Sequence, residues 1–209
     1  MSESPYVGRG GLKLRHALDA FGIDVTGFVC VDLGCSTGGF TDCLLQAGAS
    51  RVYAVDTAYG ELAWKLRKDP RVVVCERSNG LHLAPRESLD LAVADMGWTP
   101  QRLLIPAARK WLKPSGNIVT LVKPHYELRD RDKGALPRGG ILDPAEAERI
   151  TNDVIAQMPT WGVEVRGVTR SPILGGEHKG KGTGNVEWLV WAVLAAASEP
   201  VRDARAASS

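Results

Sequence analysis

A chain of 209 residues, 44% hydrophobic and 24% charged, has the size and composition of one globular α/β domain with a large core. Its net charge of +2 is too small to argue for nucleic acid by itself, no apolar run is long enough to span a bilayer, and the polar start lacks a signal-peptide core. The cytoplasm is therefore the expected compartment, and Cys30, Cys35, Cys43 and Cys75, with no CxxC pair, read as reduced thiols rather than a disulfide framework or metal site.

Leu14, Ala17, Leu18 and Phe21 recur at helical spacing, which predicts a helix over 11–21 that Gly22 stops. Phe28 to Val31 is a buried-strand run leading into Asp32-Leu33-Gly34, and Phe40 to Gln46 is the helix after it. Strands follow at Arg51 to Asp56, Arg71 to Val74, Leu89 to Asp95 and Asn117 to Lys123, with helices expected over 60–68 and 100–112. Asp143-Pro144-Ala145-Glu146 is a helix start, with a capping acid, proline first and glutamate third. Ile150, Val154, Ile155 and Met158 form that helix's apolar face. Val163 to Val168 and Val186 to Leu194 close the fold, and residues 197–209 are expected to be a disordered tail after a single domain over 1–196. Basic residues cluster at Arg9, Lys13, Arg15 and His16, in an expected loop carrying Arg129, Arg131, Lys133 and Arg138, and in another carrying His178, Lys179 and Lys181. By themselves these read as solvated surface charge.

Strands apolar on both faces and alternating with helices predict a parallel sheet covered on both sides. The last two strands have no helix between them, so at least one must run antiparallel. Seven strands ending in a reversed hairpin describe the Rossmann-like fold of S-adenosylmethionine (SAM)-dependent methyltransferases better than a pure dinucleotide-binding fold.

Ligands of such sheets bind at the C-terminal ends of the first strands. That edge carries Asp32-Leu33-Gly34-Cys35-Ser36-Thr37-Gly38-Gly39-Phe40, a tight glycine turn into a helix N-terminus, and Asp56, 24 positions after Asp32, is suited to accept ribose hydroxyls. A pyrophosphate-binding loop requires glycine where Ser36 stands, so a nucleoside cofactor without pyrophosphate is expected. Three polar residues sit at other strand ends: Asp95, Lys123 and Glu187. Taken singly, Lys123 and Glu187 read as an ordinary strand-end or surface charge, as does Lys13 on the first helix; Asp95 alone does not.

Together the motifs carry a resemblance. Arg9-Gly10-Gly11-Leu12-Lys13-Leu14, the glycine loop, Leu121-Val122-Lys123-Pro124 and Gly184-Asn185-Val186-Glu187 resemble, in order, those of the TlyA branch of FtsJ-like RNA 2′-O-methyltransferases. Gly139-Gly140-Ile141-Leu142-Asp143-Pro144 and the stretch from Val55-Asp56 to Arg67 extend the match over residues 6–194. The resemblance implies a Lys-Asp-Lys-Glu tetrad at Lys13, Asp95, Lys123 and Glu187. It implies SAM contacts at Asp32, Gly34, Ser36, Gly38, Gly39, Phe40 and Asp56, with adenine near Arg77, Ser78 and Asn79. It also implies an RNA substrate, most naturally ribosomal RNA, and no metal. Lys123 is the candidate base for the ribose hydroxyl: burial and Lys13 lower its proton affinity, Asp95 and Glu187 raise it, and the sign of the sum is not legible in sequence.

The sequence departs from that branch in three places. It starts almost at the catalytic domain, without the branch's small RNA-binding module, so a protein partner or the basic loops are expected to supply RNA recognition. Asp95-Met96-Gly97-Trp98 stands where the branch has Asp-Val-Ser-Phe, and Trp98 reads equally as a base-stacking or a packing residue. The loop from Ser171 to Asn185 is long, and a candidate cover for the RNA entry. Among rivals, amine methyltransferases would show an Asn/Asp-Pro-Pro-aromatic motif and cytosine C5 enzymes a Pro-Cys; neither occurs. A non-catalytic RNA-binding protein on the same fold would not require all four tetrad residue types. A membrane-active role, implied because members of the branch have been labelled haemolysins, has neither apolar span nor amphipathic basic helix behind it.

Overall fold

The computed structural model of the chain describes residues 4–131, 136–137, 139–176 and 184–195. Seven strands form one sheet: β1 (Val29–Leu33), β2 (Arg51–Val55), β3 (Val72–Cys75), β4 (Leu89–Ala94), β5 (Leu112–Val122), β6 (Val163–Arg170) and β7 (Trp188–Leu194), in the order β3-β2-β1-β4-β5-β7-β6. β1 to β5 are mutually parallel, and β7 runs antiparallel to both β5 and β6. The expected reversed strand is therefore β7.

Alternation along each strand sends side chains to two separate cores. Cys30, Val52, Leu91, Val93 and Val119 meet helices α1 (Gly10–Phe21) and α2 (Gly39–Gln46) on one face, with the short α3 (Trp64–Arg67) beside them. Val31, Leu33, Ala92, Ile118 and Val190 meet α4 (Gln101–Arg109) and α6 (Pro144–Gln157) on the other. Both faces of the sheet are thus removed from water, which is why its strands read as continuous apolar runs. The Asp143 carboxylate accepts from the amides of Ala145 and Glu146, capping α6 as its sequence indicates.

Several expected boundaries move. The helix over 60–68 shrinks to Trp64–Arg67, because Ala63 is extended and gives its amide to Thr37 of the glycine loop. The helix over 100–112 ends at Arg109, since Leu112 pairs with Leu89 and begins β5 well before Asn117. The last strand starts at Trp188 rather than Val186. The basic loop is corrected in part: Arg129 and Arg131 lie on a helix, α5 (Pro124–Arg131), whose first turn closes when Tyr126 and Glu127 donate to the Lys123 carbonyl. Only Pro124 and Glu127 of α5 are buried, so it carries no apolar stripe to reveal it. Lys133, Arg138, His178, Lys179, Lys181 and the tail from 197 lie outside the described residues.

Candidate functional site

The strand order reverses between β1 and β4, so the loops after them diverge and leave a crevice at the C-terminal edge of the sheet. Two adjoining hollows of about 330 and 160 Å³ occupy it and share Gly34, Ser36, Asp95 and Gly97. The larger is walled by Asp32, Thr37, Gly39, Phe40 and Lys123, the smaller by Asp56, Thr57, Ser78 and Met96. Most of the expected cofactor residues are thus in one trough. Asn79 is not in its wall: its carboxamide oxygen accepts from the Leu81 amide instead. Gly38 is also not in the wall, but its φ of 96° makes the turn into α2, and a Cβ there would lie 2.3 Å from Leu66. Gly10, Thr37 and Gly97 line the trough without having been singled out; the glycines flanking Lys13 and Trp98 were the available signal.

Among the described residues three non-glycine residues adopt positive φ, Ser36 (47°), Arg77 (52°) and Trp98 (61°), and all follow strand ends along this edge. Backbone strain of this kind persists where surrounding contacts over-determine a site, and functional clefts are where it collects. The loop is held to β2 by its own amides. Gly34 and Cys35 donate to the Val55 carbonyl, and Ser36 donates to Asp56 Oδ2 at 2.8 Å. Asp56 Oδ1 accepts from Ala58, so the carboxylate is fixed in orientation while keeping lone pairs for a ligand.

Asp32 is fully buried. Its Oδ2 accepts from the amide and hydroxyl of Thr41, but its Oδ1 has no hydrogen-bond partner among the described residues. Burial pushes this carboxyl up to about 7, against the pull of Thr41. A buried acceptor without a donor, in the wall of a cleft, is the feature that a ligand ammonium would satisfy.

Four segments bring the tetrad together as two ion pairs. Lys13 on α1 meets Glu187, just before β7, with Nζ 2.5 Å from Oε2, and both side chains are buried. Lys123, just after β5, meets Asp95, just after β4, at 2.5 Å from Oδ1. Burial opposes the charge on Lys123, but Asp95, helped by Glu187 and Tyr126, outweighs it, and the ammonium is held above its ordinary proton affinity. The sign left open by the sequence is therefore upward. Glu187 belongs to this balance, so the two pairs act on one another. The His125 ring is pushed the other way, to about 4, by burial and by Lys123 and Lys13.

At the mouth, Trp98 is 68% exposed, which removes the core-packing reading. It lies against Tyr126, 4.7 Å between ring centroids, with the Arg129 guanidinium 4.5 Å from the centroid of the Trp98 ring. On the far side, Arg77 covers Tyr59 at 4.3 Å.

Comparison with known proteins identifies the family. The family described as FtsJ-like methyltransferase matches residues 6–180. The chain is 42% identical over 194 residues to the 16S/23S rRNA (cytidine-2′-O)-methyltransferase TlyA of Mycobacterium tuberculosis, covering 91% of this chain and 69% of that one. It is 40% identical over 189 residues to YqxC of Bacillus subtilis, covering 88% and 64%. The chain thus spans about two thirds of the length of these relatives. A solved structure from Streptococcus thermophilus superposes with a TM-score of 0.83 at 36% identity, covering 93% of this chain and 69% of that one. Fibrillarin from Aeropyrum pernix, solved with bound S-adenosyl-L-methionine, shares the fold at a TM-score of 0.56 and 18% identity, over 88% and 76% of the two chains.

Proposed function

The chain belongs to the FtsJ-like methyltransferase family, and from that premise we propose that it transfers the methyl group of SAM to a ribose 2′-hydroxyl of ribosomal RNA. The observation that carries the proposal is the pair of lysine–carboxylate couples gathered from four segments, Lys123–Asp95 in the wall of the cleft between β1 and β4, and Lys13–Glu187 buried close enough for Glu187 to act on Lys123. The name of the Mycobacterium relative points to cytidine as the target nucleotide. Ribosomal RNA as substrate places the work in the cytoplasm; among the described residues no helix is long and apolar enough to cross a membrane. RNA recognition by a protein partner or by the basic surface belongs to the same proposal, as does stacking of an RNA base on Trp98.

The residues present fit SAM. The unpartnered Oδ1 of Asp32 would receive its ammonium, the oriented carboxylate of Asp56 would take its ribose hydroxyls, and Ser78 in the adjoining wall would face its base. When bound, SAM supplies an electrophilic sulfonium methyl. Asp95, Lys13 and Glu187 orient the Lys123 amine, and correct alignment of a hydroxyl with that methyl is worth about 7–11 kcal/mol. Lys123 would act in its neutral form, its ammonium proton having passed to solvent. Its Nζ would accept the 2′-hydroxyl proton while the ribose oxygen takes the methyl group, the sulfonium C–S bond breaking to leave a neutral thioether.

Asp32 makes the affinity for SAM depend on pH. Its free-state value of about 7 lies above that of an ordinary carboxyl, and pairing with an ammonium lowers it. A ligand that binds the ionised form is therefore held more weakly as pH falls below about 7, by up to about tenfold per pH unit. Calorimetric titrations with SAM from pH 7 down to pH 5.5 are expected to follow this slope. Asp32→Asn should bind weakly and without the slope; an unchanged slope in the variant would remove Asp32 from the cofactor site.

Transfer of tritiated methyl from SAM to ribosomal subunits of a strain lacking the protein tests the reaction itself. The proposal expects label in alkali-resistant dinucleotides, because a 2′-O-methyl group blocks cleavage of the adjoining phosphodiester. Label released as mononucleotides would mean base methylation and would overturn it.

A further inference from the structure

Glu127 stands outside the tetrad, on the first turns of α5, and is 5% exposed. A carboxylate removed from water costs several kcal/mol unless hydrogen bonds replace its hydration. Burial pushes this one up to about 7, opposed first by the amide of Gln101, which donates to it at 2.9 Å, and then by the charges of Arg131 and Arg102. Gln101 is the first residue of α4, whose N-cap position is Pro100 and offers no side-chain acceptor. Glu127 therefore caps a helix that starts 26 residues earlier in the chain.

The connections run straight to the reacting groups. The Glu127 amide donates to the carbonyl of Lys123, and its carboxylate holds the start of α4, which follows the short segment from Asp95 through Trp98. The Gln101 side chain completes the bracket. Its Nε2 donates to the Leu121 carbonyl and its Oε1 accepts from the Thr120 hydroxyl, both near the C-terminal end of strand β5, just before Lys123. Two buried side chains, Glu127 and Gln101, thus join the backbone around Lys123 to the backbone beyond Asp95.

We propose that Glu127 is a positioning residue that sets the contact between Asp95 and Lys123. This rests on the reading of that pair as the catalytic centre. Glu127→Ala removes the acceptor; Glu127→Gln keeps an oxygen for the Gln101 amide at nearly the same place.

Two readouts on the full chain test the assignment. The first needs no RNA: the Lys123 side-chain amine, assigned by its loss in Lys123→Arg, is titrated by NMR. In Glu127→Ala its midpoint should fall by about one pH unit as Asp95 moves away, and Glu127→Gln should restore it. The second is methyl transfer to ribosomal subunits. Glu127→Ala should lose about 100-fold in kcat, with the Kd for SAM and the KM for subunits within about threefold, and Glu127→Gln should recover most of that loss. Thermal melts above the assay temperature establish that the variants are folded. A wild-type Lys123 titration in Glu127→Ala overturns the proposal, as does equal loss in the alanine and glutamine variants. If wild-type protein leaves no ribose label, the methyl-transfer reading fails, and the NMR titration still decides the bracket.

Discussion

Lys123→Ala is expected to lower kcat for methyl transfer by about 10³–10⁴-fold while leaving the Kd for SAM nearly unchanged. A positioned general base contributes about 10²–10⁴ in rate, and loss of the amine also breaks the pair that orients Asp95. In the proposed reading the cofactor would be held chiefly by the glycine loop, Asp32 and Asp56, none of which needs Lys123 for its own contacts. Single-turnover transfer and calorimetry on the same preparation separate the two quantities. Lys123→Arg sharpens the result, because a guanidinium keeps the charge but does not give up its proton. An inactive arginine variant supports the base; an active one shows that only a cation is required. The upward displacement of the Lys123 proton affinity adds a pH signature. At pH values below its midpoint the neutral fraction grows about tenfold per unit, so wild-type kcat should climb with pH into the alkaline range. A rate that is flat from pH 6 to 9 would remove Lys123 as the base.

Gly175→Ala should cost about 100-fold in kcat at unchanged SAM affinity. A Cβ at Gly175 would lie 1.9 Å from Glu187 Oε1 and 2.3 Å from its carboxyl carbon. The backbone cannot easily retreat, because Gly175 and Asn185 exchange both amide–carbonyl bonds at 2.8 and 3.0 Å. Asn185 is itself anchored, accepting from the Leu142 amide and donating to the Gly140 carbonyl. The carboxylate must therefore swing, leaving Lys13 buried without its partner, and a displacement of about 1 Å at a reacting centre is worth about 10² in rate. Breaking a buried pair also lowers stability by about 3–5 kcal/mol, which urea denaturation will register. In a Glu187→Ala background the same substitution should have no further effect on kcat, since the atom it strikes is gone. Additive losses would show that Gly175 matters for another reason.

The same contacts explain two motifs that sequence alone could only quote. Gly139-Gly140-Ile141-Leu142 and Gly184-Asn185-Val186-Glu187 are laced together by Asn185, so both build the wall that carries Glu187. The base of the long loop is closed at Gly175 and Asn185, while its 177–183 stretch lies outside the described residues.

Much was legible in the chain itself. The apolar runs of β1, β2 and β4 and the stripe on α1 declare themselves because alternation and helical spacing are local properties of burial. The glycine loop and Asp56 are legible for a related reason: a tight turn after a buried strand admits few residues, and the acid must follow the next strand. Helix α5 was hidden, since a helix lying at the surface with two buried residues has no period to detect. The early start of β5 was hidden because its register comes from pairing with Leu89, not from its own residues. Asn79 was expected in the cleft, but its side chain is used within its own turn. The tetrad's residue types were visible, yet its pairing was not: Lys13 and Glu187 lie 174 positions apart, and only the packing of α1 against β7 makes them neighbours. The proton affinity of Lys123 and the bracket through Glu127 are likewise tertiary facts. Chain order determines which groups are present and what local structure each favours, whereas burial and through-space distance decide how strongly they act on one another.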